Sequence, residues 1–135
     1  MIRLRRVEVG QWTVLAMCDD RGDCRVLELV DGLLVDSKRD YDQVVALLKR
    51  TAAHGPPRSE RLSRKLTDDI YELKTRGGIR IPYFYDEGRM IICTEALRKP
   101  KKTELRSVIT RAQAERQRYL EAKRRGGIEV IWEDS

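Results

Sequence analysis

Three β-forming segments separated by two turns lie in residues 69–94, DIYELKTRGGIRIPYFYDEGRMIICT. The segments span residues 70–74, 79–85 and 90–94, and a glycine-containing turn follows each of the first two. Turns this short favour pairing between consecutive strands, so the stretch predicts an antiparallel meander. Because proline has no N–H, we expect the strand of Pro82 to lie at a sheet edge or to turn that side of Pro82 away from a partner.

Helical spacing of apolar residues predicts two helices outside the meander. Residues 40–53 carry one apolar stripe, with a Ser or Asp N-cap near its start and a His-Gly pair at its end. Residues 103–124 carry a second stripe, and most of the cations of this segment lie off it. Residues 24–30 are too few for periodicity to distinguish a strand from a helix, and we favour the helix.

The two ends of the chain predict further strands. Residues 7–9 and 12–17 are rich in β-forming residues and predict an N-terminal strand, with Gly10 as a bulge or turn. Residues 128–132 predict a last strand, which could pair with the N-terminal strand or with another chain. Between the first long helix and the meander, residues 59–65 form a basic link.

The chain has 135 residues, with 28 Lys and Arg against 22 Asp and Glu, a formal net charge of +6. This length supports one domain over residues 1–135, and helices flanking an antiparallel sheet place it in the α+β class. Residues 98–125 hold 11 basic and 3 acidic residues, while the rest of the chain is close to neutral. The basic surplus therefore belongs to one C-terminal segment.

The cysteine and histidine content argues against disulfide and metal sites. The three cysteines, Cys18, Cys24 and Cys93, cannot all pair, and the chain has a single histidine, His54. Buried thiols and a reducing compartment fit this composition better. No apolar run is long enough for a secretory leader or a membrane span, so we expect a cytoplasmic protein.

Sequence motifs of the common nucleophilic and nucleotide-binding enzymes are absent: the chain has no Gly-x-Ser-x-Gly, no P-loop and no Gly-x-Gly-x-x-Gly. Cations instead collect on or beside the meander. Such a set suits phosphate, because Arg can bind two phosphate oxygens and Lys adds a point charge; a solvated charged face is the alternative. These cations are Arg64, Lys65, Lys74, Arg76, Arg80, Arg98, Lys99, Lys101 and Lys102.

Aromatic residues accompany these cations in the central strand. Tyr83, Phe84 and Tyr85 could form a stacking platform for nucleic-acid bases, although a tyrosine in a strand more often packs in the core. Alternation along the strand places Tyr83 and Tyr85 on one face and Arg80, Pro82 and Phe84 on the other. We therefore expect one of these two sets to be core.

Several segments follow one another in a distinctive order. They are residues 21–33, the loop His54-Gly55-Pro56-Pro57, residues 69–74, residues 79–85, and Arg98-Lys99 with Lys102-Thr103 ahead of the C-terminal helix. In order and spacing, roughly residues 13–120 resemble the phage-derived HigB branch of the RelE-like toxins. The resemblance implies a RelE-like α+β fold: an antiparallel meander with two N-terminal helices and a C-terminal helix.

The same resemblance implies a toxin of a type II toxin–antitoxin system, which cuts mRNA on the ribosome and is silenced by a helix-turn-helix antitoxin. Such toxins use neither a metal nor another cofactor. The 2′-OH attacks the adjacent phosphate, so the enzyme must remove a proton, stabilise negative charge and protonate the 5′-oxygen. A homodimer or an assembly protein is a further possibility, because the terminal strands could form an intermolecular sheet.

Taken with the cations above, the resemblance points to individual site residues. We expect catalysis by Lys74, Arg80, Lys99 and Tyr85, and RNA binding by Lys65, Arg76, Arg98, Lys101 and Lys102. Where the family reads His-Gly-Phe, this chain has Thr94-Glu95-Ala96. Thr exchanges no proton near pH 7 and Glu adds negative charge, so the alternative is a catalytically impaired module that binds nucleic acid or an antitoxin. An exposed strand end is the ordinary expectation for Thr94 and Glu95.

Overall fold

The computed structural model describes residues 1–132, which form an α+β fold with a mixed eight-stranded sheet and three α-helices. Residues 133–135, the end of the predicted domain, lie outside the described residues. In chain order the elements are β1 (Ile2–Val9), β2 (Thr13–Met17), α1 (Arg25–Asp36), α2 (Lys38–His54), β3 (Ser63–Thr67), β4 (Ile70–Lys74), β5 (Ile79–Asp86), β6 (Met90–Cys93), β7 (Leu97–Arg98), a 3-10 turn (Lys102–Glu104), α3 (Leu105–Arg124) and β8 (Ile128–Ile131).

The predicted meander is present as β4, β5 and β6, which pair antiparallel in sequence order. The meander begins one strand earlier than predicted, because β3 pairs antiparallel with β4. The prediction of a basic link over residues 59–65 is therefore wrong for its last part. The charges of β3 hid the strand: Arg64 is accommodated on the sheet because it lies opposite Glu72 and forms an ion pair with it.

The remaining strands extend the sheet from its other side, in the order β3-β4-β5-β6-β2-β1-β8. The predicted N-terminal strand is two strands, β1 and β2, joined by a tight turn at residues 10–12. β2 runs parallel to β6, and β8 runs parallel to β1. Of the two pairings considered for the last strand, the one with the N-terminal strand is thus confirmed within one chain.

Pro82 lies in a central strand, not at a sheet edge. Its carbonyl oxygen accepts a hydrogen bond from the N–H of Thr94, so its nitrogen faces the same side of β5. On that side β5 pairs with β6 through residues 83–86 and with β7 through residues 79–80. Pro82 falls in the gap between these two partners, where a missing N–H leaves no ladder bond unmade.

Helices cover both faces of the sheet. α1 and α2 pack on one face, where the buried side chains include Val14, Leu73 and Tyr83. α3 packs on the other face over Leu15, Phe84 and other buried residues. The division follows strand alternation, since neighbouring residues of β5 point to opposite layers. Both Tyr83 and Phe84 are core residues, each at most 1% exposed.

The helices agree with their predicted positions. The choice of a helix for residues 24–30 is confirmed by α1, and the Ser37 hydroxyl caps α2 by accepting a hydrogen bond from the N–H of Asp40.

The three cysteines are buried and free, as expected of small apolar core groups. Within residues 1–132, the helices lack the combination of length and apolar character that a membrane span requires.

Candidate functional site

Three cations and one carboxylate meet on the α3 face of the meander, and we call Arg64, Glu72, Lys74 and Arg80 the charge cluster. Strand register brings them together. Arg64 of β3 lies opposite Glu72 of β4, and Lys74 of β4 lies opposite Arg80 of β5. Because residues two apart in a strand share a face, Glu72 and Lys74 project to the same side, together with their partners.

Glu72 is the centre of the charge cluster. Its side chain is only 1% exposed, and its Oε2 accepts hydrogen bonds from Nε of Arg64 at 2.6 Å and from Nη1 of Arg80 at 3.3 Å. A buried carboxylate needs such partners, since desolvation of an unpaired charge is costly. The three cations outnumber the one anion, so the charge cluster carries a net positive charge suited to phosphate.

Lys74 lies at the end of β4, where its backbone N–H donates to the carbonyl oxygen of Leu62 at 2.8 Å. Partial burial and the nearby positive charges of Arg64 and Arg80 lower the pKa of its ammonium group, against the opposing effects of Glu72 and Glu60. A lowered pKa increases the fraction of neutral amine near physiological pH. The direction of this shift favours Lys74, among the three cations of the charge cluster, as a proton acceptor.

Lys99 lies beside the β4–β5 turn, at the end of the hairpin that carries Lys74 and Arg80. The N–H of Lys99 donates to the carbonyl oxygen of Gly78 at 2.7 Å, and its φ of 48° is in the left-handed region that non-glycine residues seldom occupy. β7 positions this residue, because Leu97 pairs with Arg80. Arg76 lies in the same turn and is exposed. Lys99 and Arg76 thus lie at the turn of the hairpin whose strands carry Lys74 and Arg80.

Three other predicted RNA-binding residues, Arg98, Lys101 and Lys102, lie further along the chain. Arg98 pairs across β7 and β5 with Ile79, so its side chain is on the α2 face, where Nη2 is 3.4 Å from Oδ2 of Asp40. Lys101 and Lys102 are exposed just before α3. None of the three belongs to the charge cluster, and the charge of Arg98 is partly balanced by Asp40.

Lys65 and Tyr85 are not brought to the charge cluster. Lys65 lies opposite Tyr71, and alternation puts both on the face away from Arg64 and Glu72. Tyr85 also faces the α1 and α2 side, where its ring contacts Tyr71 at a centroid distance of 4.9 Å. Five residues of extended strand, roughly 17 Å, separate Tyr85 from Arg80. The two residues cannot act on the same phosphate.

Thr94 and Glu95 do not form an exposed strand end, and that expectation is wrong. They are 6% and 7% exposed. The Thr94 hydroxyl donates to the carbonyl oxygen of Pro82, while Glu95 accepts two hydrogen bonds from the guanidinium of Arg111 in α3. These contacts give both residues a packing role, and the negative charge of Glu95 is compensated within the fold.

Sequence reasoning missed Glu72 and did not rank Arg64 among the site residues. The signal for Glu72 was its alternation with Tyr71 and Leu73, since a charged residue inside a buried strand needs an internal partner. Finding that partner required the existence of β3 and its register with β4. Once the register is known, Arg64 is the residue directly opposite.

Comparison with known proteins gives one family match. The model of the family described as Phage derived protein Gp49-like matches residues 34–117, more than half of the chain. This family is related to the toxins of toxin–antitoxin systems. The matched region includes α2, the whole meander, the charge cluster and the first part of α3. The search of curated proteins finds no match.

Proposed function

The chain belongs to the Gp49-like family of phage-derived proteins, and on this basis we propose that it is a toxin that cleaves mRNA on the ribosome. The charge cluster is the observation that carries the proposal. It combines two arginines, held by one buried carboxylate, with a lysine whose pKa is lowered. These are the groups that metal-free cleavage of a phosphodiester requires. The resemblance to the HigB branch of RelE-like toxins supports the same reaction.

The proposed reaction begins with attack of a ribose 2′-OH on the adjacent phosphorus. Neutral Lys74 takes the 2′-OH proton, and Arg64 and Arg80 stabilise the charge that develops on the phosphoryl oxygens. Lys99 donates a proton to the departing 5′-oxygen as the P–O5′ bond breaks. The products are a 2′,3′-cyclic phosphate and a 5′-OH end. Tyr85 has no part in these steps, because it lies on the opposite face of the sheet.

Affinity for RNA comes from cations outside the charge cluster. Four exposed cations provide it: Lys101 and Lys102 just ahead of α3, Arg76 in the β4–β5 turn, and Arg98 on the α2 face. Contacts to phosphates are sequence-independent and weaken with salt, so these residues fix the position of the RNA and not its sequence. Lys65 faces the other side of the sheet, away from Arg64 and Glu72, and has no part in the proposed RNA contact.

The proposed partners follow from the proposed reaction. The substrate is mRNA bound to the ribosome in the cytoplasm, and the inhibitor is an antitoxin with a helix-turn-helix domain. The chemistry needs no metal or cofactor, because the cations supply the positive charge that a metal ion would otherwise provide.

The test is incubation of the purified protein with ribosomes programmed with a defined mRNA. We expect new mRNA ends that carry a 2′,3′-cyclic phosphate, and we expect Lys74→Ala or Arg80→Ala to reduce cleavage by at least about 100-fold. Lys65→Ala is the matched control, since it removes a lysine of β3 that faces away, and it should cleave at close to the wild-type rate. Intact mRNA after incubation with the wild-type protein would refute the proposed reaction.

A second proposed function is a binding module that has lost catalysis. It is favoured by one observation: the residues in place of the family's His-Gly-Phe include the buried Thr94 and Glu95, which are occupied by internal hydrogen bonds. This alternative predicts that the wild-type protein binds programmed ribosomes or RNA, leaves the mRNA intact, and loses binding when Arg76 and Arg98 are neutralised.

A further inference from the structure

Glu72 has an unusual place for a residue near a polyanion site. A carboxylate repels phosphate, and its burial carries a desolvation cost that an apolar residue would avoid. Glu72 is nevertheless 1% exposed and lies between two cations of the proposed site. Its burial at this position therefore calls for a role that its charge alone does not explain.

The geometry supplies such a role. Arg64 comes from β3 and Arg80 from β5, and the carboxylate of β4 lies between these two strands. Each arginine uses part of its guanidinium on Glu72, Nε in one case and Nη1 in the other. A guanidinium has five N–H donors, so both side chains keep donors for a ligand. Their side chains are 38% and 27% exposed, which leaves those donors accessible.

We propose that Glu72 is a positioning residue that holds Arg64 and Arg80 as the two sides of a site for a single phosphate group, with Lys74 beside it. The identity of that group as an RNA phosphate rests on the proposed function, but the anion site itself does not. An arginine that is already held in place loses less side-chain freedom on binding. The carboxylate strengthens anion binding by pre-organising the arginines, although its charge opposes the anion.

Removal of the Glu72 charge should change anion affinity in opposite directions, depending on whether Glu72 positions the arginines or acts only through its charge. If Glu72 acted only through its charge, Glu72→Gln would raise affinity for an anion, because one repulsive charge is lost. If it positions the arginines, Glu72→Gln lowers affinity despite that loss. Glu60 offers a matched control: it is exposed, its charge also acts on Lys74, and its carboxylate makes no hydrogen bond to Arg64 or Arg80 within residues 1–132.

The experiment uses the full-length protein and two probes: a fully 2′-O-methylated RNA hexanucleotide, which cannot be cleaved, and inorganic phosphate. Affinity is measured by fluorescence anisotropy for the RNA, and the Arg64 and Arg80 Nε–H NMR signals are followed with both probes. We expect Glu72→Gln to weaken hexanucleotide binding by about tenfold, the loss of one charge-assisted hydrogen bond. Glu60→Gln should bind equally well or more tightly.

Glu72→Asp provides a second variant that keeps the charge and retracts the carboxylate. We expect it to weaken binding severalfold, and this loss cannot come from electrostatics. It also tests the proposal if Glu72→Gln fails to fold, which thermal unfolding would reveal. Glu72→Gln and Glu72→Asp variants that are folded and bind as well as the wild type would overturn the proposal. So would unchanged Arg64 and Arg80 Nε–H signals in the wild-type protein with both probes. Failure of the ribosome assay alone would refute the reaction and leave the positioning role standing.

Discussion

Glu95 and Arg111 form a two-point ion pair that ties the connection between β6 and β7 to α3. Nε of Arg111 is 3.1 Å from Oε2 of Glu95, and Nη2 is 3.0 Å from Oε1. These hydrogen bonds raise the pKa of the Arg111 guanidinium above its ordinary value. A residue that looks unfavourable for an RNA enzyme in the sequence is thus a structural anchor for the helix.

We predict that Arg111→Ala destabilises the protein by about 1–2 kcal/mol, between the values for exposed and buried ion pairs. The loss arises because Glu95 stays buried without its partner. Chemical denaturation followed by circular dichroism measures the change. Arg106→Ala, an exposed arginine of the same helix without an ion pair in the described part of the chain, is the control and should change stability by less than about 0.5 kcal/mol. Equal stability of the two variants would contradict a structural role for the pair.

Lys74 determines the pH dependence expected of cleavage. A general base acts in its neutral form, so the single-turnover rate should rise with pH as Lys74 loses its proton, with an inflection below the ordinary lysine pKa of 10.5. Lys74→Arg should lower the rate by about 10²-fold or more and abolish the rise, because Arg stays protonated. The measurement is a pH–rate profile on programmed ribosomes. Lys65→Arg should keep the wild-type profile, and a wild-type rate independent of pH would exclude Lys74 as the base.

Local patterns predicted the elements that hold the candidate site but not the site itself. The meander, α2 and α3 follow from residues close in sequence: short glycine turns, helical stripes and a serine cap. The parallel pairing of β2 with β6 has no local signal, since it joins residues more than 70 positions apart. β3 was missed because four of its five residues are polar, and the partner that neutralises Arg64 lies eight residues away in another strand.

The separation of Tyr85 from Arg80 was already present in the sequence pattern. Alternation places the two on opposite faces of one strand, and the structure has them so. The prediction that Tyr85 and Arg80 share one site rested on their side-chain chemistry and neglected the alternation of the strand. The alternation of Glu72 and Lys74 in β4, read in the same way, would have placed both on the face of Arg80.

Asp86 provides a pH-dependent anchor at the other end of α3. It accepts hydrogen bonds from the Tyr119 hydroxyl and from Nζ of Lys123, the latter at 2.8 Å. Burial alone would raise the pKa of Asp86, but these bonds outweigh it and lower the pKa below the ordinary value of 3.8. Because the folded state holds the ionised form more tightly, this contribution to stability is present above about pH 4 and is lost as the pH falls through the lowered pKa.

We therefore predict that Asp86→Asn lowers the free energy of unfolding by about 1–2 kcal/mol at neutral pH, as expected for hydrogen bonds to a charged group. The difference from the wild type should shrink as the pH falls below about 4 toward the lowered pKa of Asp86. Denaturant titrations at several pH values measure it. Asp68→Asn, which removes a carboxylate that is 96% exposed, should show little effect at any pH. A difference that grows on acidification would contradict the assigned direction of the pKa shift.

The β4–β5 turn has no space for a side chain at Gly77. A Cβ there would overlap Oδ1 of Asp40 and crowd Oε1 of Gln43, the atom that accepts the hydrogen bond from the Gly77 N–H. Gly77→Ala must therefore displace the turn from the start of α2. We predict a loss of about 1–3 kcal/mol in stability and, because Lys74 and Arg80 flank this turn, weaker cleavage of mRNA than the wild type shows.

Gly32 is the matched control for this substitution. It lies inside α1, and a Cβ at this position meets no heavy atom within 4 Å. Gly32→Ala should raise stability by about 0.5–1 kcal/mol, since alanine is the better helix former, and it should leave cleavage unchanged because α1 lies on the face away from the charge cluster. Thermal unfolding and the ribosome assay on both variants test the pair. A Gly77→Ala protein as stable and active as Gly32→Ala would show that the contact between the turn and α2 does not hold the charge cluster in place.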